Sequence, residues 1–120
     1  MGMSYTIDRE RRLVRSRGWG VVSSRDLQEL TSRILADRAF DSALRSLADL
    51  SEVTAVAVDM MVMAETAWMP LYVPGTRRAI VATGDVVYGL ARTFASIAVQ
   101  AGHDVRVFRE MREAEAWLEA

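Results

Sequence analysis

An α/β fold is predicted from three observations. Short β-branched and apolar runs alternate with stretches of helical period, clusters of turn residues separate them, and the first two runs are joined by a brief polar turn. The order ββαβαβαβα follows: a mixed, mostly parallel sheet covered by helices, with an N-terminal antiparallel hairpin at its edge. The 120 residues suit one domain spanning residues 1–120, with no linker, internal repeat or low-complexity tract to divide it.

Tyr5 and Ile7, the turn Asp8-Arg9-Glu10-Arg11, and Leu13 to Val22 give the hairpin. Ser23 or Ser24 caps a helix in which Leu27, Leu30, Ile34 and Leu35 recur at helical spacing, ending near Asp37. Leu44 to Leu50 reads as the next strand, terminating around Asp49. A long apolar helix is then expected from Ser51 to Met69, broken by the two prolines and the glycine of Met69 to Gly75. Arg78 to Ala82 is a buried strand, and Thr83-Gly84-Asp85 turns into a helix with Val87, Leu90, Phe94, Ile97, Ala98 and Ala101 inward. Gly102 stops that helix, Val105 to Phe108 is the last strand, and Ala114, Trp117 and Leu118 mark a closing amphipathic helix.

The Met-rich run is the most distinctive segment. On a helix at about 100° per residue, Val56, Met60, Met63 and Ala67 share one face, and Val58, Val62 and Met69 fall on the other beside Asp59, Glu65 and Thr66. A helix lying on a sheet needs only one apolar face. The second stripe is either core or a surface for a partner or ligand, and methionine suits such surfaces because it repacks easily.

Composition narrows the functions. Hydrophobic residues are 51% and charged residues 26%, as in a folded globular domain, and the net charge of -1 gives no general attraction to nucleic acid or anionic membranes. No apolar run approaches the roughly 20 residues of a membrane span, and no leader pattern opens the chain. A cytoplasmic protein without membrane insertion is expected. There is no cysteine, which removes disulfides, thiolate nucleophiles and thiolate metal sites. All fifteen basic residues are arginine, so Schiff-base lysines and a P-loop lysine are excluded.

The segment Asp49-Leu50-Ser51-Glu52-Val53-Thr54, followed by Ala55-Val56, resembles the strand-to-helix signature of STAS domains, the SpoIIAA-like fold of anti-sigma factor antagonists. There an aspartate ends a strand, a Val-Thr pair follows, and a phosphorylatable serine opens the next helix. Gly20-Val21-Val22, Arg78 to Ala82, Gly89-Leu90-Ala91-Arg92, Val105 to Phe108 and Ala116-Trp117-Leu118 are similar to pieces of small, functionally unassigned bacterial proteins of STAS and SEC14-like fold. The position of the phosphoacceptor falls near Val58, beside Asp59 and with Met60 where glycine is usual, so the phosphorylation switch does not transfer. Asp59 either imitates a phosphoserine at a helix start or simply caps the helix. Ser51 and Thr54 remain hydroxyl candidates, or plain turn residues.

Catalytic chemistry finds little support. In an open α/β sheet, functional groups gather beyond the carboxyl ends of the strands, which here brings Ser23, Ser24, Asp49, Ser51, Thr83, Asp85 and Arg109 to one edge. They contain no base and nucleophile pair. His103, the only histidine, is expected exposed in a turn at the opposite edge. One histidine and scattered carboxylates give no metal-ligand spacing, and Gly18-Trp19-Gly20 and Thr83-Gly84-Asp85 lack the spacing of phosphate loops. Arg9, Arg11, Arg12, Arg15 and Arg17 form a basic stretch in which Arg15, Arg17 and Trp19 point the same way, either for an anionic partner or as charges that block edge pairing.

The sequence therefore predicts a non-enzymatic, STAS-like interaction or regulatory domain without cofactor or metal, self-associating as a homodimer or binding a regulatory protein. Its interaction residues are Asp49, Ser51, Thr54, Val58, Asp59, Val62, Met69, Thr83 and Asp85. The alternative, implied by the SEC14-like resemblance, is a carrier of a small apolar ligand or lipid, with the Met-rich helix and Trp68, Met69, Leu71 and Tyr72 covering a cavity.

Overall fold

The computed structural model describes residues 2–120. The elements follow the expected order: β1 (Met3–Asp8), β2 (Leu13–Ser23), α1 (Ser24–Ala36), β3 (Arg45–Ala57), α2 (Met60–Trp68), β4 (Arg77–Val81), α3 (Asp85–Gln100), β5 (Asp104–Phe108) and α4 (Met111–Glu119). The strands form one sheet in chain order, β1-β2-β3-β4-β5. β1 pairs antiparallel with β2, and every later neighbouring pair is parallel.

Side-chain alternation divides the core between the two faces of the sheet. Leu13, Leu47, Ala79 and Val81 point to one face and pack under Ala114 and Leu118 of α4. Val14 points to the other and packs with Leu30 and Ile34 of α1, while Val22, Val53, Ile80, Ala82 and Val105 on that face meet Ala67 of α2 and Val87, Ala91, Ala95 and Ala98 of α3. Three helices thus cover one face and one helix covers the other.

Local chemistry fixes the ends of these elements. Ser23 caps α1, its hydroxyl accepting the Asp26 N–H at 3.2 Å while the Asp26 carboxylate accepts the Ser23 N–H at 2.9 Å, a reciprocal capping box. At the far end of the chain, Arg45 of β3 donates to the Leu118 carbonyl and Arg77 of β4 to those of Trp117 and Ala120. The open carbonyls of the last turn of α4 are thereby satisfied from the sheet beneath it.

The expected strand end at Asp49 and the long helix from Ser51 are corrected. β3 runs on through Ser51, Val53, Thr54 and Val56 to Ala57, paired throughout with β2, and α2 begins only at Met60. β-branched residues favour the extended chain at Val53, Thr54 and Val56. Register shifts between Arg17 and Trp19 and between Gly20 and Val21 each insert one extra residue into β3, which breaks the strict alternation of a regular strand. The faces of the helix change with its start. Met63 and Ala67 are buried as expected, but Met60 is 54% exposed, and Val62 and Met69, expected on the outer stripe, are half-buried.

Leu47 is 1% exposed beneath α4. Leu47→Ala is expected to lower the unfolding free energy by about 2–5 kcal/mol, whereas Leu35→Ala, at a position 61% exposed, changes it by less than about 0.5 kcal/mol. Urea denaturation of the two variants checks this, and equal losses would overturn the assigned burial.

Candidate functional site

The polar groups expected along one strand edge are brought together in two separate places. Because β2 and β3 extend past β4, Ser24 and Asp59 meet at the far end of that pair, where the Asp59 N–H donates to Ser24 Oγ at 2.8 Å. Asp59 caps α2, its Oδ1 accepting the Met61 N–H at 2.8 Å. Ser51, Thr83, Asp85 and Arg109 assemble at the carboxyl ends of β4 and β5. Thr83 Oγ1 donates to the Ser51 carbonyl at 3.3 Å, and Arg109 donates to Asp85 Oδ1 at 2.7 Å while lying 4.0 Å over the Tyr88 ring. Tyr88 belongs to this group although the sequence reading does not name it. Asp49 sits within β3, opposite Val81, and accepts both the N–H and the hydroxyl of Ser51. Thr54 is exposed on β3.

These groups mainly satisfy one another in water, where exposed ion pairs such as Arg109 with Asp85 contribute little to stability. In the basic stretch, Arg17 is paired with Glu52 at 2.6 Å and lies 4.8 Å over Trp19. Among the described residues no three histidine, cysteine or acidic side chains could hold a metal ion, and no helix is long and apolar enough to cross a membrane.

The more informative feature lies between the sheet and its three-helix face. A cavity of about 170 Å³ is floored by Ser16, Ser46, Ala48 and Ile80 of the central strands and roofed by Leu30 of α1, Met63 of α2 and Phe94 of α3. Register explains why it is there. One row across the sheet pairs Val14, Ser46, Arg78 and Val105, and the next pairs Ser16, Ala48, Ile80 and Val107. Three of the central positions facing the helices therefore carry two hydroxymethyl groups and a methyl, where branched side chains normally fill a sheet's core. Val58 and the half-buried Leu50 complete the lining near α2, and Leu71 and Tyr72 from the α2–β4 connection close one side. Of the residues expected to cover a cavity, Leu71 and Tyr72 do so, while Trp68 is 55% exposed and neither it nor Met69 lines the space.

Among the described residues Arg78 is the one charged side chain of this lining. Its guanidinium carbon lies 4.4 Å over the ring of Tyr72, which is itself held edge-on by Phe40 at 5.6 Å. Arg78 Nε is buried with no hydrogen-bond partner, and no carboxylate among the described residues lies within 4.0 Å of its nitrogens. Burial draws the guanidinium below its ordinary pKa, opposed only by Tyr72. Burial likewise pushes the Tyr72 phenol upward, with Ser46 and Arg78 pulling the other way.

His103 is a correction. It is buried, 5% exposed, at the turn before β5, with Nδ1 unpartnered. Burial first and the positive charge of Arg78 second lower its pKa, partly offset by a hydrogen bond to the main chain of Met69. The sequence offered a signal at Arg78, a charge opening the otherwise apolar strand Ala79 to Val81, but none at Ser16, Ser46 or Ala48.

No family model matches the chain, and no curated protein matches it. Among solved structures it is similar to an uncharacterized protein of the DUF3478 family from Shewanella loihica PV-4, described as having a SpoIIAA-like fold. The TM-score is 0.64 over 98% of this chain and 94% of that one, at 17% sequence identity. The fold is SpoIIAA-like. The sheet with its antiparallel edge and the ββαβαβαβα order are those the alternation of strand and helix patterns predicts. At this identity the likeness carries the SpoIIAA-like architecture and leaves the site to be argued from this chain's own residues.

The lowered pKa of His103 has a consequence for stability within this SpoIIAA-like core. As pH falls below the ordinary imidazole value of 6.5, the unfolded chain takes up a proton that the folded chain resists. Stability is therefore full above that value and declines as pH falls toward the lowered one. His103→Gln is expected to flatten the loss of stability between about pH 7 and pH 5, measured by chemical denaturation. Asp26 and Asp37, whose pKa values are lowered by hydrogen bonds, lose their contribution only in more acidic solution. An unchanged slope in the variant would show that His103 titrates as freely in the fold as outside it.

Proposed function

We propose that this SpoIIAA-like domain is a non-enzymatic binding domain, and that what it binds is a small, largely apolar molecule in the cavity between the sheet and α1, α2 and α3. The single observation that carries this reading is the cavity itself, about 170 Å³ and lined mostly by aliphatic and aromatic side chains. Close packing is the rule in domain cores, and a void of this size forfeits contacts that larger residues at Ser16, Ser46 or Ala48 would have made. An apolar cavity of about 150 Å³ already accepts benzene. Few convergent polar groups in an apolar concavity are the usual composition of a small-molecule site.

A second reading is supported by the outer side of α2. Met60, Met61 and Trp68 are 54%, 70% and 55% exposed, and flexible, polarizable methionine surfaces suit docking to a protein partner or to a second copy of the chain. The expected interaction residues Val62 and Met69 are half-buried, so Met61 rather than either of these is the position to test.

Native mass spectrometry of freshly purified protein tests both readings. A reproducible added mass that disappears on denaturation supports the cavity ligand, and Ala48→Leu is expected to abolish it while raising the unfolding free energy by up to about 2 kcal/mol. A bare dimer that Met61→Asp dissociates without unfolding favours the second reading. A bare monomer whose stability does not respond to small apolar molecules would overturn the first.

A further inference from the structure

We propose that the molecule held in the cavity is a small monocarboxylic acid and that Arg78 is the counter-charge for its carboxylate; this inference rests on the reading that the cavity holds a small apolar molecule. The charge balance around Arg78 leads there. Arg17 and Arg109 on the surface are paired with Glu52 and Asp85, where water makes pairing dispensable. Arg78 is half-buried in the cavity lining with its Nε fully buried, where a charge is more costly to leave unpaired than at the surface, and it has no carboxylate neighbour among the described residues. Its sheet-row neighbours, Ser46 and Val105, are uncharged, and the nearby titratable groups, His103 and Tyr72, supply no negative charge at neutral pH.

The guanidinium geometry selects the anion. The guanidinium carbon lies 4.4 Å over the Tyr72 ring, a contact that supplies no oxygen acceptor to the guanidinium N–H donors. Nε is buried and unpartnered, and the paired donors of a guanidinium edge match the two oxygens of a carboxylate. One positive charge suits a monoanion. A phosphate monoester would bring nearly two negative charges and three oxygens to a site with a single cation. The volume sets the rest of the molecule: about 170 Å³ takes a body near the size of benzene, hence a short aliphatic or aromatic acid rather than a long acyl chain.

The test compares hexanoate with hexan-1-ol, which share the alkyl chain and differ in charge, by calorimetric titration at pH 7 into the wild-type chain, Arg78→Gln and Arg78→Met. Wild type is expected to bind hexanoate at least about tenfold tighter than hexan-1-ol, and both variants are expected to lose that preference while still binding the alcohol. If either variant fails to fold, the Arg78 Nε–H resonance of the wild type is followed by NMR instead, and is expected to shift on adding hexanoate and not on adding hexan-1-ol. Equal binding of the two ligands by wild type would overturn the carboxylate assignment and leave the cavity reading standing. A preference for hexanoate that survives in Arg78→Gln, or a resonance that ignores hexanoate, would overturn the role of Arg78. Binding of neither ligand by wild type would count against the cavity reading, and the carboxylate assignment would fall with it.

Discussion

The parallel register of β2, β3 and β4 is the constraint on which the rest of the molecule depends. It sets Ser46 between Val14 and Arg78, and Ala48 between Ser16 and Ile80, so that small side chains are adjacent on the helix-facing side of the sheet. The same register sends Leu47, Ala79 and Val81 to the opposite face, where they pack with Ala114 and Leu118 of α4. A slip of one residue would exchange the two faces, bringing leucine and valine into the cavity and serine and arginine under α4. Packing on both faces therefore opposes any other pairing. The cavity is as firmly specified as the core around it.

What could be read from the sequence follows from the range over which each signal acts. The hairpin, α1 with its Ser23 cap, α3 and the alternating order are encoded within windows of ten or so residues, and they stand where the spacing of Leu27, Leu30 and Ile34 or of Val87, Leu90 and Phe94 put them. The error at Ser51 to Ala57 has a definite cause. Two bulges interrupt the period-two pattern of β3, and a run such as Val53-Thr54-Ala55-Val56 with its alternation broken satisfies helical spacing equally well. The cavity was illegible for a different reason: Ser16, Ser46 and Ala48 lie on strands joined by long connections, and nothing local marks a serine or an alanine as the neighbour of a void. His103 is buried against its local signal: a glycine-histidine turn reads as exposed, whereas the approach of Met69 and Arg78 to it is purely tertiary.

The energetic position of Arg78 differs from that of a structural ion pair. A buried pair is costly to break because its partner is left behind, but here no carboxylate among the described residues pairs with the half-buried guanidinium, and its unfavourable desolvation is already part of the native state. Stacking on Tyr72 offsets some of that cost. A methionine or leucine at position 78 would give a better-packed face with no such cost, so Arg78 is a place where local consistency yields and stability is sacrificed. Such sites are where function is sought first.

The two surfaces of α2 join the cavity to the exterior. Nine residues are too few to be helical alone, so α2 holds its place through Met63 and Ala67 against α1 and α3, with Asp59 and Ser24 fixing its start. Met63 and Thr66 face the cavity, while Met60, Met61 and Trp68 face outward. These residues belong to one rigid unit of fewer than three turns, and a shift in how Met63 packs is necessarily shared by Met61. An occupant that binds more tightly to one position of α2 than to another changes the outer apolar surface by that difference in affinity, and by no more. Were both proposed readings to hold, ligand binding and protein docking would be coupled through this one helix.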